Sequence, residues 1–150
     1  MSIFGAGRGF LLPLVVFSVF ALPVSVIDIR TRRIPDALSV LCFLLVLALR
    51  LRYSPETALF FLAAALFAFA LFFCVALGTG GLGFGDVKFA AVIGLVCGFP
   101  GVLAALLAAS VLGLALSPLF RGPDGASLPI PFAPFLCAGA IMEQLISSLF

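Results

Sequence analysis

Long apolar runs, separated by short polar or glycine- and proline-containing segments, make up most of the chain. A helix that crosses a hydrocarbon core about 30 Å thick needs about 20 apolar residues. We predict membrane-spanning helices in five regions: Phe10–Ile27, Ala37–Leu49, Thr57–Leu77, Val87–Leu116 and Phe132–Phe150. These regions occupy nearly all of residues 1–150, which predicts a single membrane-embedded domain with no separate soluble part.

The fourth run, Val87–Leu116, is too long for one straight span. As one helix it would measure about 45 Å, and the segment Gly98-Phe99-Pro100-Gly101 interrupts it. Proline removes a backbone donor and glycine permits a turn, so together they break helices. We therefore predict two short helices joined by a tight turn here, and an all-α transmembrane bundle of about six spans.

The composition supports a membrane protein. The chain is 65% hydrophobic and 9% charged, with a mean hydropathy of +1.41, whereas a soluble domain carries about a quarter charged residues. Its net charge of +2 is too small to indicate a nucleic-acid partner. The chain has no His and no CxxC pair, so its cysteines are predicted to be small core residues and not metal ligands. They are Cys42, Cys74, Cys97 and Cys137.

The basic residues divide between the two predicted sides of the membrane. One side carries five of them, Arg30, Arg32, Arg33, Lys88 and Arg121, and the other carries three, Arg8, Arg50 and Arg52. Cytoplasmic loops are enriched in Lys and Arg, so the side with the arginine cluster is predicted to be cytoplasmic. Asp28 and Asp86 both lie on that side, because two predicted spans separate them.

The first run has an alternative interpretation as a secretory signal. Arg8, the apolar run and Val19-Phe20-Ala21 together fit a signal peptide with a cleavage site. The run continues as far as Ile27, however, which a span requires and a signal peptide does not. A membrane span is therefore favoured.

Two of the six acidic residues lie at the predicted membrane boundary. Asp28 follows the apolar segment Val24-Ser25-Val26-Ile27, and Asp86 opens the apolar run that begins at Val87. An ionisable group at the centre of a membrane helix costs about 2.5–3.5 kcal/mol on insertion scales, and less near the interface. Acids kept in such places are candidates for function.

Asp86 has two alternative interpretations. It could be the N-cap of a helix, although capping does not need the five glycines that precede it, Gly78, Gly80, Gly81, Gly83 and Gly85. Glycines let another backbone approach closely, as a protease requires when it holds an extended peptide. The glycines also match the dinucleotide pattern GxGxxG, which is disfavoured because the preceding run is too long for a strand and no βαβ pattern surrounds it.

Asp28 has an ordinary alternative as well. It precedes a basic segment, Arg30-Thr31-Arg32-Arg33, and could simply pair with an arginine in a cytoplasmic loop. Pro35 stands where the next helix is predicted to start, and proline is favourable at the first helical position.

Three separated segments resemble the type IV prepilin peptidases, which belong to the GxGD intramembrane aspartyl proteases. Asp28 with Ile34-Pro35 resembles the family's first-aspartate motif, and Gly83-Phe84-Gly85-Asp86-Val87-Lys88 resembles its GxGDxK motif. The segment from Pro129 to Leu136 resembles its proline-rich entry into the last helix. The chain departs from the family pattern at Asp36, where Asn is usual, and at Ala133, where Gly is common.

The resemblance implies that Asp28 and Asp86 are the catalytic pair of an endopeptidase that uses no metal or organic cofactor. Its substrate would be a prepilin or pseudopilin, cut at the cytoplasmic face of the bacterial inner membrane next to a short basic leader. The resemblance also implies supporting or substrate-binding roles for Gly83, Gly85, Lys88, Ile34, Pro35, Pro131 and Pro134. The sequence specifies neither the particular prepilin nor an oligomeric state.

The size of the chain favours the short form of this family. Long bifunctional members carry an additional region with paired CxxC motifs and also methylate the new N-terminus. This chain has no CxxC pair and resembles the peptidase-only form of tight-adherence (Flp-type) pilus systems. Methylation by this chain is therefore not expected.

Other functions stay open. Asp28 and Asp86 could form a proton or cation relay in a small transporter or channel subunit, or the chain could be a noncatalytic component of a secretion apparatus. Lys88 could bind a phospholipid or a substrate carbonyl, or extend to the headgroups. Glu143, with Gln144, could be a polar contact between helices, a substrate contact or a marker of the far interface.

Overall fold

The computed structural model describes residues 8–31, 35–79, 83–116 and 133–149. These residues form five helices: α1 (Arg8–Thr31), α2 (Asp36–Tyr53), α3 (Pro55–Thr79), α4 (Phe84–Leu116) and α5 (Ala133–Leu149). Each predicted apolar run corresponds to one helix, and none of the described residues forms a strand. The predicted all-α fold is confirmed.

Three of the helices contain segments long and apolar enough to cross a membrane. They are Leu11–Thr31, Pro55–Gly78 and Phe84–Leu112, and Ala133–Ile146 is a shorter apolar helix. Large apolar side chains cover the outer faces, with Leu59 exposed to 76%. A helix that is apolar all round is solvated by lipid and not by water, so these helices indicate a multi-pass membrane protein. The count of six spans stays a prediction.

The fourth helix is the centre of the bundle. It packs extensively against α3 and α5, and also against α2, whereas its contact with α1 is small and centres on the stacked rings of Phe17 and Phe89, 5.7 Å apart. Small residues permit close approach: a Cβ on Gly94 would lie 2.5 Å from the carbonyl oxygen of Ala64, and one on Gly139 would lie 2.8 Å from that of Ala105. Close backbone contact of this kind is typical of helix packing in membranes.

The predicted break in the fourth run is present, as a kink at Gly98 between two helical halves. Gly98 has φ 72° and ψ −173°, while helical structure continues on both sides of it. Phe99 follows, and its ring packs against the rings of Phe60 and Phe67 on α3, with centroids 5.2 and 5.5 Å away. These aromatic contacts hold the second half, 99–116, against α3, which the first half, 84–97, meets at Gly94.

Two smaller predictions need correction. Pro35 is the N-cap residue of α2, with φ −64° and ψ 122°, so the first helical position belongs to Asp36. Of the cysteines, Cys42, Cys97 and Cys137 are buried as predicted, but Cys74 is exposed on α3. The apolar run around Cys74 is solvated by lipid on its outer face, so an apolar sequence context does not by itself place a residue in the protein core.

Candidate active site

Asp28 lies in the last turn of α1 and is only 5% exposed. Its Oδ2 accepts a hydrogen bond from the backbone N–H of Ala133, at 3.1 Å. Ala133 is the first residue of α5, where backbone N–H groups have no partner within the helix and the helix dipole favours negative charge. The carboxylate therefore fixes the end of α1 against the start of α5.

Asp86 lies in the first turn of α4 and is partly buried. The helix begins at Phe84, so the N-cap interpretation of Asp86 is wrong; its backbone N–H donates to the carbonyl of Gly83 at 3.0 Å. Its side-chain Oδ1 is buried, and it has no hydrogen-bond partner among the described residues. Buried carboxylate oxygens are rarely left this way, so Oδ1 is available to a water molecule or a ligand.

The two carboxylates are close enough to interact electrostatically. They lie on α1 and α4, two helices that touch directly through the stacked rings of Phe17 and Phe89, 5.7 Å apart, and are also linked by α2 and α5. Two acids that face each other in a low-dielectric setting disfavour the doubly ionised state, which lets one act as a base while the other donates a proton. The arrangement can perform general acid–base chemistry.

Lys88 is directed away from this pair of acids. Two residues after Asp86, it lies about 200° further round the helix, and its Nζ forms an ion pair with Oδ2 of Asp36 at 2.7 Å. The two side chains are 39% and 65% exposed. The ion pair connects the start of α2 to the start of α4, and it gives a partner to the acid at position 36.

The other predicted supporting residues lie partly within and partly outside the described part of the chain. The carbonyl of Pro35 accepts hydrogen bonds from the backbone N–H groups of the first turn of α2. A Cβ on Gly83 would lie 3.5 Å from Oδ2 of Asp86, an ordinary contact, so crowding does not require glycine there. Gly85 and Pro134 are partly buried, and Ile34 and Pro131 lie outside the described residues. So do Arg32 and Arg33, and pairing of Asp28 with them stays a prediction.

A second polar cluster lies in the bundle near the kink. Gln144 is 1% exposed, and its Nε2 donates to Oε2 of Glu143 at 3.0 Å. Gly101 of α4 faces this glutamate, since a Cβ there would lie 2.8 Å from the same oxygen. The pair thus belongs to the contact between α4 and α5, which favours the interpretation as a polar contact between helices over that of a far-interface marker.

Two important partners were not identified from the sequence. The backbone of Ala133 is bonded to Asp28 across 105 residues, and Arg50 donates to the carbonyl of Val96 across 46 residues. For Ala133 the only local signal is its place at a helix start. For Arg50 the signal is indirect, because Pro100 four residues after Val96 leaves that carbonyl without its usual helical partner.

A largely apolar helical bundle that holds a buried Asp28 within electrostatic reach of a partly buried Asp86 defines a membrane protein with a candidate acid–base site. Residues 15–117 match the model of the type IV leader peptidase family. The match covers more than half of the chain, and the chain belongs to this family. No solved structure gives a significant match.

Similar proteins of known function carry the same kind of name. A prepilin leader peptidase/N-methyltransferase of Xanthomonas campestris is 35% identical over 131 residues, which is 81% of this chain and 45% of that protein. One of Bacillus subtilis is 34% identical over 90% of this chain and 56% of that protein. One of Escherichia coli is 29% identical over 87% of this chain and 61% of that protein. The chain thus spans about half the length of the first two relatives.

Proposed function

We propose that this chain is an intramembrane aspartyl endopeptidase that removes the leader of type IV prepilins or pseudopilins, with Asp28 and Asp86 as its catalytic pair. The observation that carries the proposal is that these two carboxylates, one buried and one partly buried in a largely apolar bundle, lie within electrostatic reach of each other. Acids are expensive to keep in such surroundings. Membership of the leader peptidase family supplies the class of reaction.

In the proposed mechanism the two acids share one proton. The ionised member takes a proton from a water molecule whose oxygen attacks the scissile carbonyl carbon, while the protonated member donates to the carbonyl oxygen. The tetrahedral intermediate then collapses, the C–N bond breaks, and the leaving amine takes a proton from the pair. The unpartnered Oδ1 of Asp86 supports this role, since it can accept a hydrogen bond from the attacking water. Because such a pair titrates jointly, the shared proton belongs to both acids.

The proposed substrate presents a short basic leader at the membrane surface and an apolar helix within the bilayer. The cleavage site is proposed to lie at the cytoplasmic face of the inner membrane. Support comes from the basic residues near the acids, with Arg30 exposed at the end of α1 and Lys88 partly exposed at the start of α4. Positive residues near helix ends favour the cytoplasmic side.

Supporting residues are proposed on both sides of the acids. Gly83 and Gly85 flank the approach to Asp86, and Pro35 begins α2 beside the Asp36–Lys88 ion pair. Lys88 would act at the membrane surface and not on the reacting atoms. Ile34, Pro131 and Pro134 are proposed to shape the same entrance, as the resemblance of their motifs suggests.

Asp28→Asn and Asp86→Asn, made separately, test the catalytic pair. An amide preserves the shape but cannot act as a base, so we expect leader cleavage in membranes to fall by about 10²–10⁴-fold. Glu56→Gln is the matched control, because Glu56 also lies in the first turn of a helix, α3, but is exposed. If either Asn variant accumulates normally and cleaves at the parental rate, the assignment is wrong. Proton or cation flux through reconstituted vesicles that depends on both acids would instead support a transporter.

We further propose that this chain does not itself methylate the product, because its sequence has no CxxC pair. The test is the mass of the mature pilin after incubation with the purified chain and a methyl donor. The proposal requires the mass of the unmodified pilin. A product one methyl group heavier would contradict it without affecting the peptidase assignment.

A further inference from the structure

Arg50 is a charged side chain buried deep in an apolar bundle. It lies near the end of α2, is 3% exposed, and its guanidinium carbon lies 3.5 Å from the ring centroid of Phe61 on α3. Its Nη2 donates a hydrogen bond to the carbonyl oxygen of Val96 on α4, at 2.7 Å. One arginine therefore connects three helices, through a cation–π contact and a short hydrogen bond.

The carbonyl that Arg50 binds is one that the helix itself leaves open. In an α-helix the oxygen of residue 96 accepts from the N–H of residue 100. Here the non-helical backbone of Gly98 interrupts that pattern, and residue 100 is proline and has no N–H. Within a membrane no solvent replaces the missing donor, so a proline in a helix requires a neighbouring group to satisfy the freed carbonyl. Arg50 supplies that donor next to the kink at Gly98.

The relation of α2 to α4 bears directly on the two acids. Asp28 is on α1 and Asp86 is on α4. These helices touch along a short stretch, chiefly through one pair of stacked aromatic rings, whereas α2 packs more closely against both. The second helix is fastened to α4 near both ends, by the Asp36–Lys88 ion pair at its start and by the Arg50–Val96 hydrogen bond near its end. The first of these contacts is exposed and weak, so the buried one is the stronger of the two polar contacts between α2 and α4.

We propose that Arg50 is a positioning residue for the peptidase reaction. By satisfying the carbonyl that Pro100 frees, it fixes the kinked α4 against α2 and so sets where Asp86 stands relative to Asp28. It acts about 15 Å from Asp86, the length of ten helical residues, and touches neither substrate nor reacting atoms. This inference rests on the proposed function of Asp28 and Asp86.

The test combines three substitutions in the full chain, reconstituted in vesicles with a prepilin substrate. Arg50→Met removes the donor, and Pro100→Ala restores the N–H that the helix lacks. Arg52→Met is the matched control, since it removes the same charge from an exposed site on the same helix. Cleavage is expressed per folded protein, which is quantified by size-exclusion chromatography.

We expect Arg50→Met to lower kcat about tenfold or more with KM unchanged, because a buried acceptor loses its donor and α4 shifts. The double variant with Pro100→Ala should recover part of that loss, because the new N–H reaches the carbonyl of Val96 once residue 98 becomes helical. Arg52→Met should resemble the parent. If Arg50→Met is too unstable to purify, recovery of folded, active protein in the double variant is the expected result.

Three results would overturn the proposal: Arg50→Met equals Arg52→Met in kcat, the effects of Arg50→Met and Pro100→Ala are simply additive, or KM changes and kcat does not. These failures differ from failure of the proposed function. In that case the parent chain would not cleave, or it would cleave without Asp28 and Asp86.

Discussion

The N–H of Ala133 donates a hydrogen bond to Oδ2 of Asp28 at 3.1 Å, so the end of α1 and the start of α5 meet at one proposed catalytic carboxylate. The donor belongs to the backbone. This explains how alanine can stand where the family commonly has glycine, because either residue presents the same N–H. The side chain of Ala133 is fully buried.

Ala133→Pro removes this donor while it suits the first position of a helix. A hydrogen bond to a charged group contributes about 1.5–3 kcal/mol, so we expect leader cleavage to fall by about tenfold or more. The measurement is the rate of cleavage per folded protein in vesicles. Ala133→Gly keeps the N–H and should retain most of the activity. Equal activity in the Pro and Gly variants would show that this hydrogen bond does not support the site.

Asp36→Asn removes the charge that pairs with Lys88. Both side chains are substantially exposed, and exposed ion pairs contribute about 0–1 kcal/mol. We expect the free energy of unfolding in detergent to change by less than about 1 kcal/mol, with cleavage largely retained. The family's usual Asn at this position is consistent with that expectation. A loss of cleavage comparable to that of Asp28→Asn would mean that position 36 takes part in the reaction.

Cysteine accessibility provides a test of the bundle that does not depend on function. Cys74 is exposed on a lipid-facing surface, whereas Cys42, Cys97 and Cys137 are buried. A small apolar maleimide that enters the detergent micelle should therefore label the folded protein at Cys74 before the other cysteines. Intact mass should show one added label, and Cys74→Ser should abolish it. Rapid labelling that persists in Cys74→Ser would place another cysteine at the surface and contradict the packing described.

The helices and the candidate acids could be predicted from the sequence because both depend on local patterns. Apolar runs give the positions of the helices. An acid beside such a run stands out, because placing an ionisable group at the membrane costs free energy. The break near Gly98 was also visible, from a proline and a glycine in one segment. The structure has the break at Gly98. Local sequence does not reveal that the ring of Phe99 packs on α3 directly after it.

The contacts that organise the site could not be predicted in the same way. The hydrogen bonds from Ala133 to Asp28 and from Arg50 to Val96 each involve a backbone group. Nearly every residue carries the same backbone groups, so the residue type does not reveal the partner. Each bond also joins residues far apart in the chain. Arg50 looked like a topology determinant on the side opposite the acids. Only the fold shows that its guanidinium is buried and donates a hydrogen bond to a carbonyl near the kink.

Gly98→Ala tests whether the kink requires glycine. Its φ of 72° with ψ −173° lies in a region that other residues rarely occupy, at a cost of about 1–3 kcal/mol. A Cβ at this position would also lie 3.3 Å from ring atoms of both Phe60 and Phe61, which leaves little space. We therefore expect the free energy of unfolding to fall by at least about 1–3 kcal/mol, measured by denaturant titration in detergent.

Gly78→Ala is the control for this prediction. Position 78 lies near the end of α3, where an added methyl group would have no neighbouring atom within 4 Å, and its backbone is not in the left-handed region. Alanine there should be neutral or slightly stabilising, because it favours the helix by up to about 1 kcal/mol. Equal stability of the two variants would mean that Gly98 does not hold the strained conformation. The kink would then depend only on Pro100 and on the hydrogen bond from Arg50 to the carbonyl of Val96.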